Sequence, residues 1–367
     1  MERKLLRVLV LIILAVTIFV GGCGFKLQHP SLDMLITPTG INGVKDVEID
    51  LLKDFIRQAD RLLEITPNPS VVLDIPPYYT NYRSNRKAVA ALENDTHAAL
   101  VLSLAYRLTG FDKYAIKATD FMAAWSSNCR EAKSGESKLY LVYGGFRFLR
   151  AYQYLENFDW NRGPFKVWLQ HVYRPAAEEI KKSANNWGSW GHLGCIMTDS
   201  ILAPEFLDRD ADDLEAHIKR SIGPNGILVY ETKRTLAGIW YSYFSLAPMF
   251  RAAMELDRHG SKNLYSLILP GFDWFFRYCV DPDSWPYRPL PGFLGEIQKQ
   301  IWPHAGYLQK PYVKNGWPAH LLETAARVYD RPQWLQWVQP PNTSGCHCFE
   351  YSTLVLSMKD AGIDIDY

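Results

Sequence analysis

The hexapeptide NNWGSW occupies residues 185–190, near the middle of a chain of 367 residues. Two adjacent amides beside two tryptophans are costly in a hydrophobic core, because a buried amide needs hydrogen-bond partners. The same combination suits a sugar that carries a carboxylate, since an amide donates hydrogen bonds and an indole ring stacks on the sugar. Alternatively, the stretch is the start of a helix, with Asn185 or Asn186 as the N-cap and Trp187 and Trp190 in the core.

Outward from this hexapeptide, helical segments alternate with short connections. Residues 92–108 show helical spacing of apolar residues and end at Thr109-Gly110, and residues 114–125 then form a second helix. This is a helical hairpin, and similar pairs recur along the chain. The further pairs are 139–155 with 165–180, 187–203 with 210–222, 234–257 with 264–280, and 317–329 with 334–338. Apart from short segments such as 226–230 no strand is evident, so the pattern predicts an all-α fold, an incomplete (α/α)n toroid.

A second informative stretch follows about forty-five residues later, at 231–243. Arg234 and Tyr241 are seven residues apart, so one continuous helix would place both on the same face. A neighbouring cation stabilises a phenolate and lowers a tyrosine pKa that starts near ~10. Such a pair can remove a proton from carbon. The alternative is that Tyr241 belongs to the core and Arg234 pairs with Glu231 on the surface.

A polar and aromatic segment at 76–86 separates a first helical pattern, predicted at 47–63, from the first hairpin. It interleaves tyrosines with arginines, as a lid over a sugar acid would require. Tyr82, Arg83 and Arg86 are the candidates for such a lid. A solvated connection without a function is the alternative.

Together these stretches resemble the alginate lyase family of polysaccharide lyases. The matching motifs are N-N-(H or W)-G-x-W at 185–190, E-x-x-R-x6-Y at 231–241 and S-x-F-x-L-A-P at 242–248. Residues 98–125 also resemble the early helical hairpin of that family, and the resemblance covers residues 75–330. It implies an incomplete α/α toroid with a cleft along one mouth. The implied reaction is β-elimination on a uronic acid polymer.

The resemblance also implies roles for individual residues. Asn186 and Arg234 would hold the substrate carboxylate, and Tyr241 would protonate the leaving oxygen. The lid tyrosine of the family would correspond to Tyr82. Further residues assigned to substrate binding are Arg83, Arg86, Asn185, Trp187, Trp190, His192, Glu231 and Tyr243.

One position departs from the family pattern. Trp187 stands where studied alginate lyases of the family carry a histidine base. Either Tyr241 performs both proton transfers, which is natural when the proton and the leaving group share one face of the sugar, or another group substitutes. His192 is a candidate, although it does not share a helical face with Asn186. The departure places mannuronate-rich alginate in doubt and makes glucuronan and other acidic polysaccharides alternatives.

The N-terminus predicts an exported, lipid-anchored protein. Basic residues precede an apolar run from Val8 to Val20, and the sequence V-G-G-C follows at 20–23. This resembles a bacterial lipoprotein signal that is cleaved before Cys23, whose sulfur would carry the lipid. An uncleaved membrane anchor is the alternative, but the run is short for a full span.

The predicted organisation is a signal peptide at 1–22, a tether at 23–45 and a single domain at 46–367. Gly24 is not the aspartate that commonly retains such lipoproteins at the inner membrane. We therefore expect a lipid-anchored location in the bacterial cell envelope, at the outer membrane and facing the periplasm or the exterior.

Charge and cysteine content limit the partners. Removal of residues 1–22 takes away three basic residues and one acidic residue, which leaves 37 basic and 38 acidic residues and a net charge of −1. A chain without a basic field is a poor match for nucleic acid. Cys346-His347-Cys348 has no second ligand pair at zinc-site spacing, so we predict neither a metal nor a cofactor.

Two other functions remain alternatives at this stage. A glycoside hydrolase on the same scaffold would need two carboxylates across a cleft, for which Asp95, Asp199 and Glu231 are available. A surface lipoprotein that binds polysaccharide without cleaving it would keep the aromatic cleft but would not need an acidic Tyr241.

Overall fold

Helices make up nearly all regular structure in the described part of the chain. The computed structural model describes residues 46–287, 318–337, 348–363 and 365. Its α-helices are α1 (Asp46–Leu62), α2 (Tyr82–Thr109), α3 (Asp112–Asn128), α4 (Gly135–Tyr154), α5 (Gly163–Trp168), α6 (Arg174–Lys181), α7 (Asn186–Leu202), α8 (Leu207–Ser221), α9 (Gly238–Arg258), α10 (Tyr265–Val280), α11 (Ala319–Val328) and α12 (Ser352–Asp360). Two short strands, β1 (Val72–Leu73) and β2 (Glu131–Ala132), pair in parallel.

The helices pack as successive hairpins. Helix α2 packs against α3, α4 against α6, α7 against α8, and α9 against α10. Helices α2, α4, α7 and α9 also pack side by side in chain order and form an inner layer, while their hairpin partners lie outside them. Near the chain ends, α12 packs against α1. The predicted all-α architecture of helical hairpins is therefore confirmed.

Helix α8 shows why these segments become helices with one buried face. Its buried apolar residues recur at helical spacing, at Leu207, Ala211, Leu214 and Ile218. Acidic residues occupy its first turn and basic residues its last turn, which complements the helix dipole. Among the described residues, no helix is both long enough and apolar enough to cross a membrane.

Several predicted helix boundaries are wrong, and two of them affect the 76–86 and 231–243 segments. The helix predicted at 92–108 begins at Tyr82, so half of the predicted 76–86 loop is helical. The helix predicted at 234–257 begins at Gly238, because Thr235 has φ 54° and ψ −122° and interrupts the helix there. A 3-10 segment, Thr232–Ala237, replaces its first turns.

The segment predicted as one helix at 165–180 contains a break. It consists of α5, a π-helical turn at Leu169–Tyr173, and α6. Pro175 lies in the first turn of α6 and has no N–H to donate, which favours a wider turn before it.

Several predictions concern residues outside the described ranges. These are the signal peptide at 1–22, Cys23 with the tether at 23–45, and Cys346 with His347. They remain predictions. The four cysteines that the structure describes, Cys129, Cys195, Cys279 and Cys348, are buried free thiols.

Glycines on α7 bring this helix unusually close to α6. A Cβ at Gly188 would lie 1.9 Å from the carbonyl oxygen of Ser183, and one at Gly191 would lie 2.3 Å from the backbone nitrogen of Lys181. Both distances are shorter than any real contact, so only glycine permits this approach. The packing fixes the start of α7, where the hexapeptide lies.

We predict that Gly191→Ala destabilises the protein by about 1–3 kcal/mol, because the new methyl group forces α6 and α7 apart. Gly144→Ala is the matched control, since its Cβ would meet Leu92 at an ordinary 3.4 Å. Chemical denaturation of the two variants measures the difference. Equal stabilities would contradict the close packing of α6 and α7.

Candidate active site

A cleft of about 1020 Å³ opens where the inner helices begin. Its walls include the first turns of three helices, with Glu136 on α4, Asn186 on α7 and Tyr241 on α9, and Arg86 in the second turn of α2. Helix N-termini carry partial positive charge and unpaired N–H groups. Three of them around one cleft favour an anionic ligand.

Asn186 is held by a buried carboxylate. Its backbone N–H donates to Oε1 of Glu231 at 2.7 Å, and its side-chain Nδ2 donates to Oε2 at 2.8 Å. Both residues are at most 1 % exposed, although Asn186 contributes to the cleft wall. Burial raises the pKa of Glu231 to about 7, against the lowering effects of Arg234 and Asn186. Glu231 was assigned to substrate binding, but it does not line the cleft and instead lies behind Asn186.

Arg234 and Tyr241 meet, but not as the sequence predicted. They do not lie on one helix, because the chain breaks at Thr235 before α9 begins. The guanidinium carbon of Arg234 lies 3.8 Å from the centroid of the Tyr241 ring, which is a close cation–π contact. Arg234 Nε also lies 3.6 Å from Glu231 Oε2. The pairing of Arg234 with Glu231 therefore occurs beside the cleft and not on the surface.

The backbone around Arg234 is held in a strained shape. Thr235 has positive φ, which is rare for a β-branched residue, and its carbonyl oxygen accepts a hydrogen bond from Trp285 Nε1 at 3.0 Å. Gly238 allows the start of α9 to approach, since a Cβ there would lie 2.8 Å from the Glu231 carbonyl oxygen. These contacts fix Arg234 relative to Tyr241.

The hexapeptide begins a helix, as one interpretation predicted, and its first three residues also line the cleft. Asn185 is the N-cap of α7, and its side chain accepts a hydrogen bond from the Trp187 backbone N–H at 3.1 Å. Asn185, Asn186 and Trp187 all line the cleft. Trp187 is half-buried, and its ring packs beside Gly135.

Three residues assigned to substrate binding lie in the core instead. Trp190 is fully buried and packs against Phe244, with ring centroids 5.2 Å apart. Tyr243 is fully buried with its hydroxyl 2.7 Å from His320 Nε2. His192 is 3 % exposed and packs on His217, and burial lowers its pKa to about 2. Their positions on α7 and α9 turn these side chains away from the cleft.

The lid assignment is also corrected. Tyr82 and Arg83 form the first turn of α2 and are not among the described residues that line the cleft. Tyr78 packs edge-to-face on Tyr82, with ring centroids 5.2 Å apart, and faces the cleft together with Tyr79. Arg86, one helical turn after Tyr82, does line the cleft as predicted.

Sequence reasoning missed a whole wall of the cleft, on α4. Glu136, Tyr140, Tyr143 and Arg147 all line the cleft. Their spacing of four, three and four residues places them on one helix face. A polar and aromatic stripe on an otherwise apolar helix was the available signal. Burial raises the pKa of Tyr140 to about 12, and its hydroxyl donates to Asn85 Oδ1 at 2.9 Å.

Helix α2 supplies a parallel stripe that was also missed. Arg86 forms a two-pronged ion pair with Glu93, with Nη1–Oε1 and Nη2–Oε2 distances of 3.1 and 2.5 Å. His97 lines the cleft about three turns after Arg86. Burial and the charge of Arg147 lower the pKa of His97 to about 4, so its imidazole is neutral at neutral pH.

The carboxylates proposed for a hydrolase do not lie in the cleft. Asp95 is buried and accepts hydrogen bonds from Trp125 Nε1 and the Asn68 backbone N–H, both at 2.7 Å. Asp199 is buried and ion-paired with Arg174 at 2.7 Å. Both carboxylates are therefore committed to structural contacts.

Comparison with known proteins assigns this chain to a family. The family model described as alginate lyase matches residues 54–285. An alginate lyase from Bacteroides ovatus superposes with a TM-score of 0.60 at 16% identity, over 79% of this chain and 90% of that one. Alginate lyase A1-III from Sphingomonas species A1 gives a TM-score of 0.58 at 16% identity, over 78% and 89%.

Two structures of A1-III variants, each complexed with a tetrasaccharide, give TM-scores of 0.55 and 0.57 at 14% identity, over 81% of this chain. At such low identity these likenesses show the fold alone, an α/α toroid. No match was found among proteins of curated function. The family model, however, spans well over half of the sequence, and the chain therefore belongs to the alginate lyase family of polysaccharide lyases.

Proposed function

We propose that the cleft binds a uronic acid polymer and cleaves it by β-elimination, with Tyr241 as the proton-transferring group. The observation that carries the proposal is the position of the Arg234 guanidinium, 3.8 Å from the Tyr241 ring and next to Asn186 on the cleft wall. The tetrasaccharide complexes of the A1-III variants show that the same fold accommodates an oligosaccharide.

Removal of a proton from C5 of a uronate requires that its carboxylate be neutralised, because the resulting carbanion is stable only as an enolate-like species. Asn186 can donate a hydrogen bond to the carboxylate, and Arg234 supplies a positive charge beside it. The N-termini of α7 and α9 add partial positive charge at the same place. These groups lower the barrier most if they bind the intermediate more tightly than the ground state.

Tyr241 then completes the reaction. Its phenolate takes the C5 proton, and the electron pair forms the C4=C5 double bond as the C4–O bond breaks. The departing oxygen takes the proton back from the same hydroxyl. The products are a sugar with an unsaturated end and a new hydroxyl end, and no water is consumed.

One tyrosine can serve both steps only when the C5 proton and the C4 oxygen lie on one face of the sugar. This holds for mannuronate and glucuronate, whereas in guluronate the two groups lie on opposite faces. Trp187 occupies the place of the family histidine and cannot accept a proton, and His192 is buried away from the cleft. We therefore propose a polymer of mannuronate or glucuronate units as the substrate. Mannuronate, which the missing family histidine placed in doubt, is retained because Tyr241 alone can serve both of its proton transfers.

A second part of the proposal concerns location. The V-G-G-C sequence at 20–23 after an apolar run supports lipid attachment at Cys23 and an envelope location facing acidic polysaccharide.

We predict that Tyr241→Phe lowers the turnover number by about 10²- to 10⁴-fold, because the hydroxyl that carries the proton is lost while the ring under Arg234 remains. Ultraviolet absorbance of the new double bond measures turnover, and calorimetry measures oligosaccharide binding, which should persist. Tyr243→Phe, two residues away but outside the cleft, is the matched control. Unchanged turnover in Tyr241→Phe would exclude Tyr241 as the acid. Binding without absorbance in the wild type would favour a non-catalytic binder.

We predict that mannuronate-rich alginate or glucuronan is cleaved and that guluronate-rich alginate is not. The measurement is the same absorbance assay with the three polymers at equal uronate concentration. Cleavage of the guluronate polymer would reveal a base on the opposite wall. New reducing ends without absorbance would indicate a hydrolase.

We predict that Cys23→Ser transfers the protein from the membrane fraction to the soluble fraction, because the thioether link to the lipid cannot form. Incorporation of labelled fatty acid, present in the wild type and absent in the variant, is the direct measurement. Equal labelling of both proteins would contradict lipidation at this residue.

A further inference from the structure

We propose that Glu231 is a positioning residue that holds Asn186 and Arg234 in the arrangement that receives the substrate carboxylate. The inference rests on the proposed function of the cleft. It goes further by assigning a task to a residue that does not itself line the cleft.

Glu231 contacts both carboxylate-binding groups at once. Oε1 accepts the backbone N–H of Asn186, and Oε2 accepts its side-chain Nδ2 and lies 3.6 Å from Nε of Arg234. The three groups come from two segments that are forty-five residues apart in the chain. A single carboxylate therefore couples the start of α7 to the strained segment before α9.

The carboxylate decides which way the Asn186 amide points. An ionised carboxylate can only accept hydrogen bonds, so the amide must present Nδ2 to it and not Oδ1. Nδ2 carries two hydrogens, and its one hydrogen bond within the described part of the chain goes to Glu231. The other hydrogen is available to a substrate oxygen. In the opposite orientation, Oδ1 would face the carboxylate and repel it.

The side-chain oxygen of Asn186 also supports a positioning role for Glu231. Oδ1 is buried and has no hydrogen-bond partner among the residues that the structure describes. A buried acceptor without a partner is unfavourable by about 1–3 kcal/mol, so a residue chosen for stability alone would not leave this oxygen unpaired. The two hydrogen bonds from Asn186 to Glu231 hold the amide in this orientation despite that penalty.

In its ionised form, Glu231 destabilises the fold. Burial raises its pKa to about 7. A carboxyl group with a raised pKa in the folded state stabilises the fold fully below its ordinary pKa and loses that contribution as the pH rises through about 7. The titratable groups nearest to it are Arg234 and, through Arg234, Glu136 and Tyr241. At pH 8 a neutral residue of the same shape should therefore stabilise the fold at least as well as Glu231.

Glu255 is a matched control for this carboxylate. It is fully buried and pairs with Arg251 at 3.4 Å and with Arg258 at 2.7 Å, but it does not line the cleft or contact its walls near Asn186. Its arginine and histidine partners hold its pKa below the ordinary value. Its ionised form therefore stabilises the fold at neutral pH, in contrast to Glu231.

The test compares Glu231→Gln, Glu231→Asp and Glu255→Gln with the wild type. It measures kcat and KM on the polymer that the wild type cleaves, oligosaccharide affinity by calorimetry, and Tm at pH 8. For Glu231→Gln we expect kcat/KM to fall by about 10- to 100-fold, as for other residues that orient catalytic groups, with Tm unchanged or raised. Glu231→Asp, which keeps the charge but is one methylene shorter, should recover part of the activity. Glu255→Gln should lower Tm and leave kcat and KM unchanged.

The outcomes separate this inference from the function on which it rests. If the wild type cleaves a polyuronate and Glu231→Gln cleaves it equally well, Glu231 has only a structural role and the inference is overturned. The same conclusion follows if kcat/KM of Glu231→Gln falls only because the variant is less stable, as shown by a lower Tm. If the wild type neither cleaves nor binds any polyuronate, the proposed function itself fails, and the inference fails with it.

Discussion

The contact between the Glu231 carboxylate and Asn186 is the interaction on which the cleft depends. It joins the N-terminus of α7 to the irregular segment before α9, and so brings an amide, a guanidinium and a tyrosine to one place. Two features of the backbone make it possible. Glycines let α7 approach α6 closely, and the positive φ of Thr235 turns Arg234 toward Tyr241. A buried charge in this position is retained against its desolvation penalty.

Electrostatic balance distinguishes this cleft from a simple basic groove. Every arginine that lines the cleft, among the described residues, is paired with a glutamate. The pairs are Arg86 with Glu93, Arg147 with Glu350, and Arg234 with Glu231. A substrate carboxylate therefore joins existing ion pairs, and its binding relies on directed hydrogen bonds and helix N-termini as much as on net charge. Tyrosines and tryptophans between these pairs offer flat surfaces to sugar rings.

The motifs at 185–190 and 231–241 located the site because their residue types are costly anywhere else. The stripes on α2 and α4 were missed because a tyrosine or an arginine on a helix is compatible with a core, a surface or a cleft. Trp190, His192 and Tyr243 were misassigned for a related reason. Proximity in sequence to Asn186 or Tyr241 places a side chain near the site, but the helix phase decides whether it faces the cleft.

The sequence by itself determined the class of fold and the identity of the central groups. Helical periodicity, turn residues and the spacing of the two motifs are local properties, and they can be recognised without knowledge of how the helices pack. Only the tertiary structure decided that Arg234 meets Tyr241 across a break in the helix, and that Glu231 lies behind Asn186. It also decided that Tyr78 and Tyr79, and not Tyr82, line the cleft. These relations depend on how separate helices pack, and contacts between distant segments leave no periodic signal in the chain.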